Sequence, residues 1–573
     1  MISTVTTNAK GASFVKSLLN AWSWLFLVLI LGFFEIYARM ETGQTFLFRI
    51  YNIQSISVAA SQILLLSLGL TLVVVAGHID LSIAFSTGLA AVVMALVIRI
   101  IGPESGWLVV ILAMAAGLLS AVIVGLVNGW LVAQLNVPSF IGTLGTFGIA
   151  RGVALIVAGG ATVSIRSEEA RSFGNGEILG IPVPVLLALV LAAACHFILT
   201  YTKFGVHTYA LGANRASVER AGVDVKKHLV MLFVISAITA GVGGLVYTGR
   251  ADPALCGGGG LHRRRVVDGR PGHRDRHGHR RLHHRGDPVR PGVLGPASLL
   301  AVRRRRPRHH RGGARRPVAG QADGEAVMTA ILTATGLKKR FGGIEAVKDV
   351  NFEVHPGECV VLAGDNGAGK STIIKMISGV YQPTEGTVTF DGETLTGKSP
   401  EAVRRSGIET IYQDLALADN LDAGLNLYLG REKMTKVLGI PVLDRKAMRN
   451  AAVEVLKSLG IVVPDPTAPV RDMSGGQRQA IAIARAIHWQ AKLVILDEPT
   501  AALGVPEQRE VMALIERLKK KGVAIILISH NLPDIFAAAD RIIVLARGVI
   551  GGERRPSETN DEEIVRLMMG ATL

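Results

Sequence analysis

The distribution of apolar and polar positions divides the chain into two parts. In the first part, long apolar runs alternate with short polar joints, at about 21–38, 55–76, 83–101, 107–133, 141–158, 181–200 and 229–247. Such runs suit helices that cross about 30 Å of hydrocarbon. From residue 328, short apolar runs typical of strands alternate with segments of helical period. The pattern predicts a multi-domain fold, an α-helical polytopic membrane domain followed by an α/β domain.

The charges of the joints predict how the membrane domain is oriented. Cytoplasmic joints carry an excess of Lys and Arg. The joint 201–228 has five Lys or Arg against two acidic residues, and the segment 1–20 has Lys10 and Lys16 with no acidic residue. We therefore expect both in the cytosol, separated by six spans. The alternative, buried helices of a large soluble protein, is disfavoured because one core would have to house all seven runs.

Composition supports a partly membrane-embedded chain. The 573 residues are 49% hydrophobic, and the mean hydropathy is +0.39. Cys195, Cys256 and Cys359 are too scattered for a disulfide framework or a metal cluster. The formal net charge of +17 is typical of nucleic-acid or anionic-lipid binding, but residues 256–327, with 18 Arg, no Lys and 5 acidic residues, contribute +13 of it. The basicity is therefore local.

Residues 253–327 form an Arg-, His-, Gly- and Pro-rich junction, for which we expect disorder. Three interpretations are open: a nucleic-acid arm, a flexible tether, or the product of a shifted reading frame. A basic arm usually mixes Lys with Arg. One back-translation of HRRLHHRGDPVRPG, shifted by one base, reads TGAFIIGAILSGL, which resembles a membrane span. We favour the shifted frame, in which case Met328 would begin a separate subunit.

A glycine-rich loop lies within the α/β part. The stretch CVVLAGDNGAGKSTIIKMISG predicts a buried strand over 359–363, a loop and a helix, and it matches G-x-x-x-x-G-K-[ST] at Gly364, Gly369, Lys370 and Ser371. The glycines let backbone N–H groups surround phosphate oxygens, the lysine reaches the β- and γ-phosphates, and the hydroxyl ligates Mg²⁺. The expected cofactors are therefore ATP and Mg²⁺.

An apolar strand in KLVILDEPT, 492–500, ends in two carboxylates. Asp497 is placed to hold Mg²⁺ through water. Glu498 is placed to polarise the attacking water as a general base.

Further motifs resemble those of ATP-binding cassette proteins. MSGGQRQAIAIARAI, which begins at Met473, resembles the signature motif of that class. In the same resemblance, Gln413 of TIYQD corresponds to the glutamine that senses the γ-phosphate and Mg²⁺ and contacts the permease. His530 of ILISHN corresponds to the switch histidine, and Phe341 of KKRFGGIEAV to the aromatic residue that stacks on adenine. For Phe341, ordinary core packing is the alternative. The resemblance covers 330–572.

Motif and resemblance together imply a set of site residues. The catalytic residues would be Glu498, His530 and Gln413. The residues that hold the metal would be Ser371, Gln413 and Asp497. The residues expected to contact nucleotide are Phe341, Gly364, Asn366, Gly367, Gly369, Lys370, Ser371, Thr372, Ser474, Gly475, Gly476 and Gln477. The signature residues would complete the site of an opposite subunit, so the resemblance implies two cassettes that meet head to tail.

Two positions depart from the pattern of this class. Met473 replaces the usual Leu, which changes little because the two are nearly isosteric. Gly504 stands where an Asp that couples the two ATP sites is common. Gly504 therefore brings tight coupling between the two ATP sites into question, but not the binding of ATP.

The membrane part resembles the permease subunits of ribose-type sugar importers of the same class over about 15–250. The resemblance rests on VVAGHIDLS, VPSFIGTLGTFGIARGVALI and TKFGVHTYALGANRASVERAGVDVKKH, the last of which would be the cytoplasmic loop that docks on the ATPase. His78, where a glycine is usual, is expected to be a neutral core-facing residue. Asp80 and Asn128 are candidates for the translocation path, because polar groups within a bilayer are often functional.

The expected function is ATP-driven uptake of a monosaccharide across the bacterial inner membrane, with permease and ATPase joined in one chain by accident. The expected domains are a cytosolic segment 1–20, a truncated permease 21–252, the junction 253–327 and the ATPase 328–573. The expected partners are a second cassette, a permease dimer, a periplasmic sugar-binding protein and the lipid bilayer, but no nucleic acid. The alternatives are an exporter-type half-transporter and a nucleic-acid-associated ATPase that uses the junction.

Overall fold

A computed structural model describes residues 21–102, 106–161, 163, 165, 167–250, 329–459, 461, 463, 465–501 and 503–570. The predicted cytosolic segment 1–20 and the predicted junction 253–327 lie outside the described residues.

The first part of the chain is a bundle of helices. In chain order the helices are α1 Trp22–Thr42, α2 Ile50–Val75, α3 Ile83–Ile101, α4 Gly106–Ala133, α5 Ser139–Val157, α6 Glu168–Asn175, α7 Val183–Tyr201, α8 Lys203–Ala213, α9 Arg215–Arg220 and α10 Val225–Arg250. A short antiparallel hairpin of β1 Glu177–Ile178 and β2 Ile181–Pro182 connects α6 with α7.

Helices occupy all seven predicted spans, with ends displaced by at most five residues. Among the described helices, six are long and apolar enough to cross a membrane: α2, α3, α4, α5, α7 and α10. Helix α1 carries Glu35, Arg39 and Glu41 in its second half and is not among the six. The first predicted span is thus helical, but its crossing of the membrane stays a prediction.

Helix α10 lies at the centre of the bundle, where it packs against α2, α3 and α4. In its most apolar window 67% of the residues are buried, against 17% for α7. Small residues permit this packing: a Cβ atom on Gly125 of α4 would lie 2.6 Å from the carbonyl oxygen of Phe233 in α10. Close backbone approach at small residues is typical of helices that pack in lipid.

The second part of the chain alternates strands and helices. Its strands are β3 Leu332–Phe341, β4 Ile344–Val354, β5 Cys359–Gly364, β6 Glu385–Phe390, β7 Glu393–Thr394, β8 Ile408–Ile411, β9 Met434–Val437, β10 Ile440–Leu443, β11 Leu493–Asp497, β12 Ala524–Ile528, β13 Arg541–Ala546 and β14 Val549–Arg554. Its helices are α11 Lys370–Ile377, α12 Pro400–Arg405, α13 Ala423–Tyr428, α14 Arg445–Ser458, α15 Gly475–His488, α16 Val505–Lys520, α17 Leu532–Ala538 and α18 Asp561–Met568.

Ten of these strands form one sheet in the order β7-β6-β3-β4-β14-β13-β5-β12-β11-β8. Strands β5, β12, β11 and β8 are parallel neighbours, and β5, β12 and β8 are buried throughout. Near-continuous apolar strands are typical of a parallel sheet covered on both faces. Their carboxyl ends therefore meet at one edge, where the residues that follow each strand come together. The predicted fold class is confirmed.

Candidate functional site

The glycine-rich loop connects β5 with α11. Gly364, Gly367 and Gly369 have positive φ values of 154°, 83° and 104°, which residues with side chains rarely adopt. A Cβ atom on Gly364 would lie 2.4 Å from the carbonyl oxygen of Leu545, and one on Gly369 would lie 2.7 Å from that of Ala346. Both the conformation and the available space therefore require glycine at the two ends of the loop.

Lys370 is the first residue of α11, and its side chain reaches back into the loop. Its Nζ donates hydrogen bonds to the carbonyl oxygens of Gly364, at 2.7 Å, and Asp365, at 2.9 Å. Burial lowers the pKa of Lys370, although the carboxylates of Glu498 and Asp497 oppose this shift. The loop therefore holds one buried positive charge at the start of a helix, a combination that attracts phosphate.

Of the three residues predicted to be catalytic, Gln413 and His530 both contact Glu498. Gln413 Nε2 donates to Glu498 Oε2 at 3.2 Å, and His530 Nδ1 lies 3.0 Å from Glu498 Oε1. Glu498 directly follows β11, while Gln413 and His530 stand two residues beyond the ends of β8 and β12. The parallel order of these strands therefore brings the three side chains together.

Asp497, the last residue of β11, is partly buried beside Glu498. Burial, and then the neighbouring charge of Glu498, raise the pKa of Asp497, while Lys370 opposes the shift. A carboxylate in this setting is stabilised by a cation. The donors predicted for Mg²⁺, the oxygens of Ser371, Gln413 and Asp497, are of the hard type that this ion prefers.

These residues line one cavity of about 290 Å³. Its lining consists of Asn366, Gly367, Ala368, Gly369, Lys370, Ser371, Thr372, Gln413, Asp497, Glu498 and His530. Within the described residues, no group of three or more His, Cys, Asp and Glu side chains gathers to hold a metal by itself. The residues fit an Mg²⁺ ion that takes its remaining ligands from phosphate and water.

The signature residues lie elsewhere. Ser474 caps α15 in a capping box with Gln477, and both line a separate cavity of about 300 Å³ together with Gly476 and Glu507. Gly475 is the first residue of α15. A single chain therefore does not bring its own signature residues to the glycine-rich loop.

Phe341, at the end of β3, is 43% exposed, so it is not an ordinary core residue. Its ring forms an edge-to-face pair with Tyr381, with centroids 5.3 Å apart. Lys339 Nζ lies 5.3 Å from the centroid of the Phe341 ring. Tyr381 could not be predicted from the sequence, because it follows α11 without a motif of its own.

Gly504 precedes α16 and makes no side-chain cap for it. A Cβ atom at this position would lie 2.6 Å from Glu507 Oε2. The glutamate of the first turn therefore occupies the space into which a side chain at residue 504 would extend. Glu507 also lines the cavity that contains Ser474, Gly476 and Gln477.

Residues 203–222, which we call the docking loop, connect the membrane bundle with the cassette. Glu432 of the cassette, with a side chain only 1% exposed, has its Oε1 2.7 Å from His207 Nε2 and its Oε2 3.8 Å from Lys203 Nζ. Burial by itself would raise the pKa of Glu432, but the hydrogen bond and charge of His207, with the backbone N–H of Gly430, lower it below its ordinary value. The buried carboxylate is thus charged and paired.

The docking loop also contacts the segment that carries Gln413. Arg220 forms an ion pair with Asp414, and its guanidinium lies 3.9 Å above the centroid of the Tyr412 ring. Asn420 Nδ2 donates to the carbonyl oxygen of Tyr209 at 2.9 Å. Tyr412 and Asp414, on either side of Gln413, therefore contact the docking loop directly.

We expect Glu432→Gln to lower the free energy of unfolding at pH 7 by about 3 kcal/mol, because it breaks a buried ion pair. A lowered carboxyl pKa contributes stability above the ordinary pKa of 4.5, and this contribution is lost as the pH falls through the lowered value. The difference between variant and parent should therefore shrink below pH 4.5. Unfolding followed by intrinsic fluorescence in detergent measures this difference.

The exposed pair Arg215–Glu219 offers a matched control, because Glu219→Gln removes a carboxylate from the docking loop at a surface site. A variant at Glu432 that behaves like the one at Glu219, or whose deficit does not shrink as the pH falls below 4.5, would contradict the assignment.

The two polar candidates within the membrane bundle belong to one hydrogen-bond network. Asp80 accepts from Ser82 Oγ at 2.7 Å and from Ser236 Oγ at 2.9 Å. Asn128 Nδ2 donates to Ser82 Oγ at 2.8 Å, and Asn128 Oδ1 accepts from Thr146 at 2.6 Å. Each is buried and tied to neighbouring helices, so their proposed place on a translocation path stays a prediction. His78 is half-buried.

Comparisons with known proteins agree with this architecture. The family model described as ABC transporter matches residues 347–501, and the model described as branched-chain amino acid transport system / permease component matches residues 52–253. The xylose/arabinose import ATP-binding protein of Sulfolobus acidocaldarius is 45% identical over 246 residues, 43% of this chain and 96% of that protein. The fructose import ATP-binding protein of Rhizobium meliloti is 43% identical over 245 residues, 42% of this chain and 94% of that protein.

A ribose import ATP-binding protein of Rubrobacter xylanophilus is 42% identical over 246 residues. This match takes 43% of the present chain and 48% of that protein, so the chain spans about half the length of that relative.

A phosphate-binding loop, two carboxylates at a strand end and a signature helix define a nucleotide-binding cassette with ATPase chemistry. With these matches and six membrane-spanning-capable helices, the chain belongs to the ABC transporter family. It is a multi-pass membrane protein with a soluble ATPase domain.

Proposed function

We propose that the membrane bundle and the ATPase domain of this chain are the permease and the ATPase of a system that uses ATP hydrolysis to drive the uptake of a monosaccharide across the bacterial inner membrane. The carrying observation is the contact between the docking loop and the residues beside Gln413, which joins a membrane bundle to a nucleotide site. The names of the matched relatives, which include xylose, arabinose, fructose and ribose, support a sugar as the substrate.

Within the nucleotide site, each residue has a separate task. The backbone of the glycine-rich loop and Lys370 bind the phosphates, and Phe341 stacks on the base. Ser371, Gln413 and Asp497 would hold Mg²⁺, which when bound neutralises phosphate charge. Glu498 orients the attacking water and accepts its proton, while His530 holds the Glu498 carboxylate in place.

The separation of the two cavities supports a head-to-tail pair of cassettes, in which Ser474 and Gly476 complete the site of a second copy. Closure of such a pair on ATP would move the docked membrane bundles between their outward- and inward-facing states. A permease dimer in the lipid bilayer and a periplasmic sugar-binding protein complete the proposed assembly.

We propose the domain boundaries that the sequence predicts: a truncated permease at 21–252, a junction at 253–327 and an ATPase at 328–573. We further propose that the junction results from a shifted reading frame. Sequencing the DNA for residues 245–335 tests this directly: a shifted frame that restores apolar spans supports it, and the frame confirmed unchanged contradicts it.

If the frame is shifted, we expect no sugar transport by the fused chain, whereas the frame-corrected membrane and ATPase subunits expressed together should transport. Uptake of labelled xylose, arabinose, fructose and ribose into proteoliposomes measures both. Normal uptake by the fused chain alone would contradict this expectation.

The class of substrate is tested by ATPase stimulation in lipid. We expect stimulation by a sugar-loaded periplasmic binding protein. Stimulation by lipophilic drugs alone would point to an exporter, and stimulation by DNA that is lost on deleting 256–327 would point to a nucleic-acid-associated ATPase. Stimulation only by a binding protein loaded with a branched-chain amino acid would show that the substrate is such an amino acid and not a sugar.

A further inference from the structure

Four charged side chains, which we call the charge cluster, gather beneath the docking loop: Glu409, Arg404, Arg431 and Arg485. Glu409, on β8, is 2% exposed. Its Oε1 lies 3.8 Å from Arg431 Nη1, and its Oε2 lies 3.7 Å from Arg485 Nε. Burial lowers the pKa of Arg404 to about 10. The negative charge of Glu409 opposes this shift, whereas the positive charges of Arg485 and Arg431 add to it. The cluster thus holds one negative charge among three positive ones.

No hydrogen bond joins the side chains of the charge cluster to one another among the described residues. Both carboxylate oxygens of Glu409 are buried without a hydrogen-bond partner among the described residues, and so is one nitrogen of each arginine, namely Arg404 Nε, Arg431 Nη2 and Arg485 Nε. Distances of 3.7 and 3.8 Å exceed those of hydrogen bonds but still permit strong attraction in a buried site. The members are therefore held by charge and can shift relative to one another without breaking a hydrogen bond between them.

Three residues of the charge cluster lie in or next to three different segments: the docking loop, the strand before Gln413 and helix α15. Arg404 Nη2 donates to the carbonyl oxygen of Ala221, in the docking loop. Glu409 stands four residues before Gln413, on the strand that leads to it. Arg485 belongs to α15, the helix that Ser474 caps, and its Nη2 lies 3.5 Å from the carbonyl oxygen of the residue after Glu409. The docking loop, the nucleotide site and the signature helix thus meet at one charge cluster.

We propose that the charge cluster transmits a change at the nucleotide site to the docking loop, with Glu409 as the positioning residue that holds the three arginines together. The proposal rests on the proposed function, since it requires ATP to bind at Gln413 and the loop to move. Without the negative charge, three guanidiniums of like sign remain in a buried site, and they separate. Arg404 then loses its fixed position against Ala221, while the nucleotide cavity, which contains no member of the cluster, keeps its lining.

The test compares the full chain with its Glu409→Gln variant in lipid nanodiscs, by backbone hydrogen exchange over residues 203–222 with and without Mg-ATP. In the parent we expect Mg-ATP to change the exchange rate of this segment at least threefold. In Glu409→Gln we expect a change below 1.5-fold, while the Kd for ATP, measured by calorimetry, stays within about threefold of the parent. Arg404→Gln, which removes the donor to Ala221, should give the same result.

Glu358→Gln is the matched control. It removes a carboxylate that accepts from Arg541 Nε at 2.7 Å and contacts no residue of the docking loop, so its response to ATP should equal that of the parent. An ATP response in Glu409→Gln equal to the parent, or no response in a parent that binds ATP, would overturn the proposal. Lack of ATP binding by the parent would instead contradict the proposed function. A general loss of structure is recognised because it also raises exchange in β5 and β12.

Discussion

Glu498→Gln is expected to lower kcat for ATP hydrolysis by about 10²–10⁴-fold, the range typical of removing a general base. The carboxylate is held between Gln413 and His530, at 3.2 and 3.0 Å, and it faces the cavity that would contain the γ-phosphate. Glutamine has nearly the same shape but accepts a proton far less readily. Hydrolysis measured by phosphate release should therefore fall, while the Kd for ATP should change by less than about threefold.

Glu562→Gln, at an exposed position of the C-terminal helix α18, is the control for this variant. It should hydrolyse ATP like the parent. If Glu498→Gln retained more than a tenth of the parental kcat, another residue would have to be the base.

Lys370→Met is expected to raise the Kd for ATP by about 10- to 100-fold, because hydrogen bonds to charged groups contribute about 1.5–3 kcal/mol. Methionine keeps a long, unbranched side chain but removes the buried positive charge and its two hydrogen bonds to the loop carbonyls, at 2.7 and 2.9 Å. Calorimetric titration with ATP measures the loss directly.

The matched control is Lys375→Met, one turn and a half further along α11. The ammonium of Lys375 lies 5.4 Å from the Tyr381 ring centroid and does not line the nucleotide cavity. Equal losses in the two variants would show that the positive charge of α11 acts only at long range, contrary to the role given to Lys370.

The sequence was sufficient for the elements that have a strong local signal. The strand predicted at 359–363 is observed as Cys359–Gly364, and the one that ends at the two carboxylates is Leu493–Asp497. Glycine spacing and uninterrupted apolar runs determine these elements locally. The site residues that follow the parallel strands meet because the sheet order brings β8, β11 and β12 side by side.

Contacts between distant parts of the chain could not be predicted from the sequence. His207 and Glu432 are 225 positions apart, and neither belongs to a motif that names its partner. The charge cluster around Glu409 was missed for the same reason, since a single Glu in the short strand IETI gives no hint of the arginines around it. Asp80 and Asn128 were recognised as polar groups in the membrane, but only helix packing reveals that both bond to Ser82.

Measuring ATP hydrolysis and sugar uptake in the same proteoliposomes tests whether hydrolysis drives the uptake of a sugar. The gene should first be verified over residues 245–335, and the vesicles supplied with a sugar-loaded periplasmic binding protein. With the frame-corrected membrane and ATPase subunits in the vesicles, we predict uptake of one monosaccharide that requires Mg-ATP and is lost in Glu498→Gln. Uptake that continues in this variant, or hydrolysis that no sugar stimulates, would contradict it.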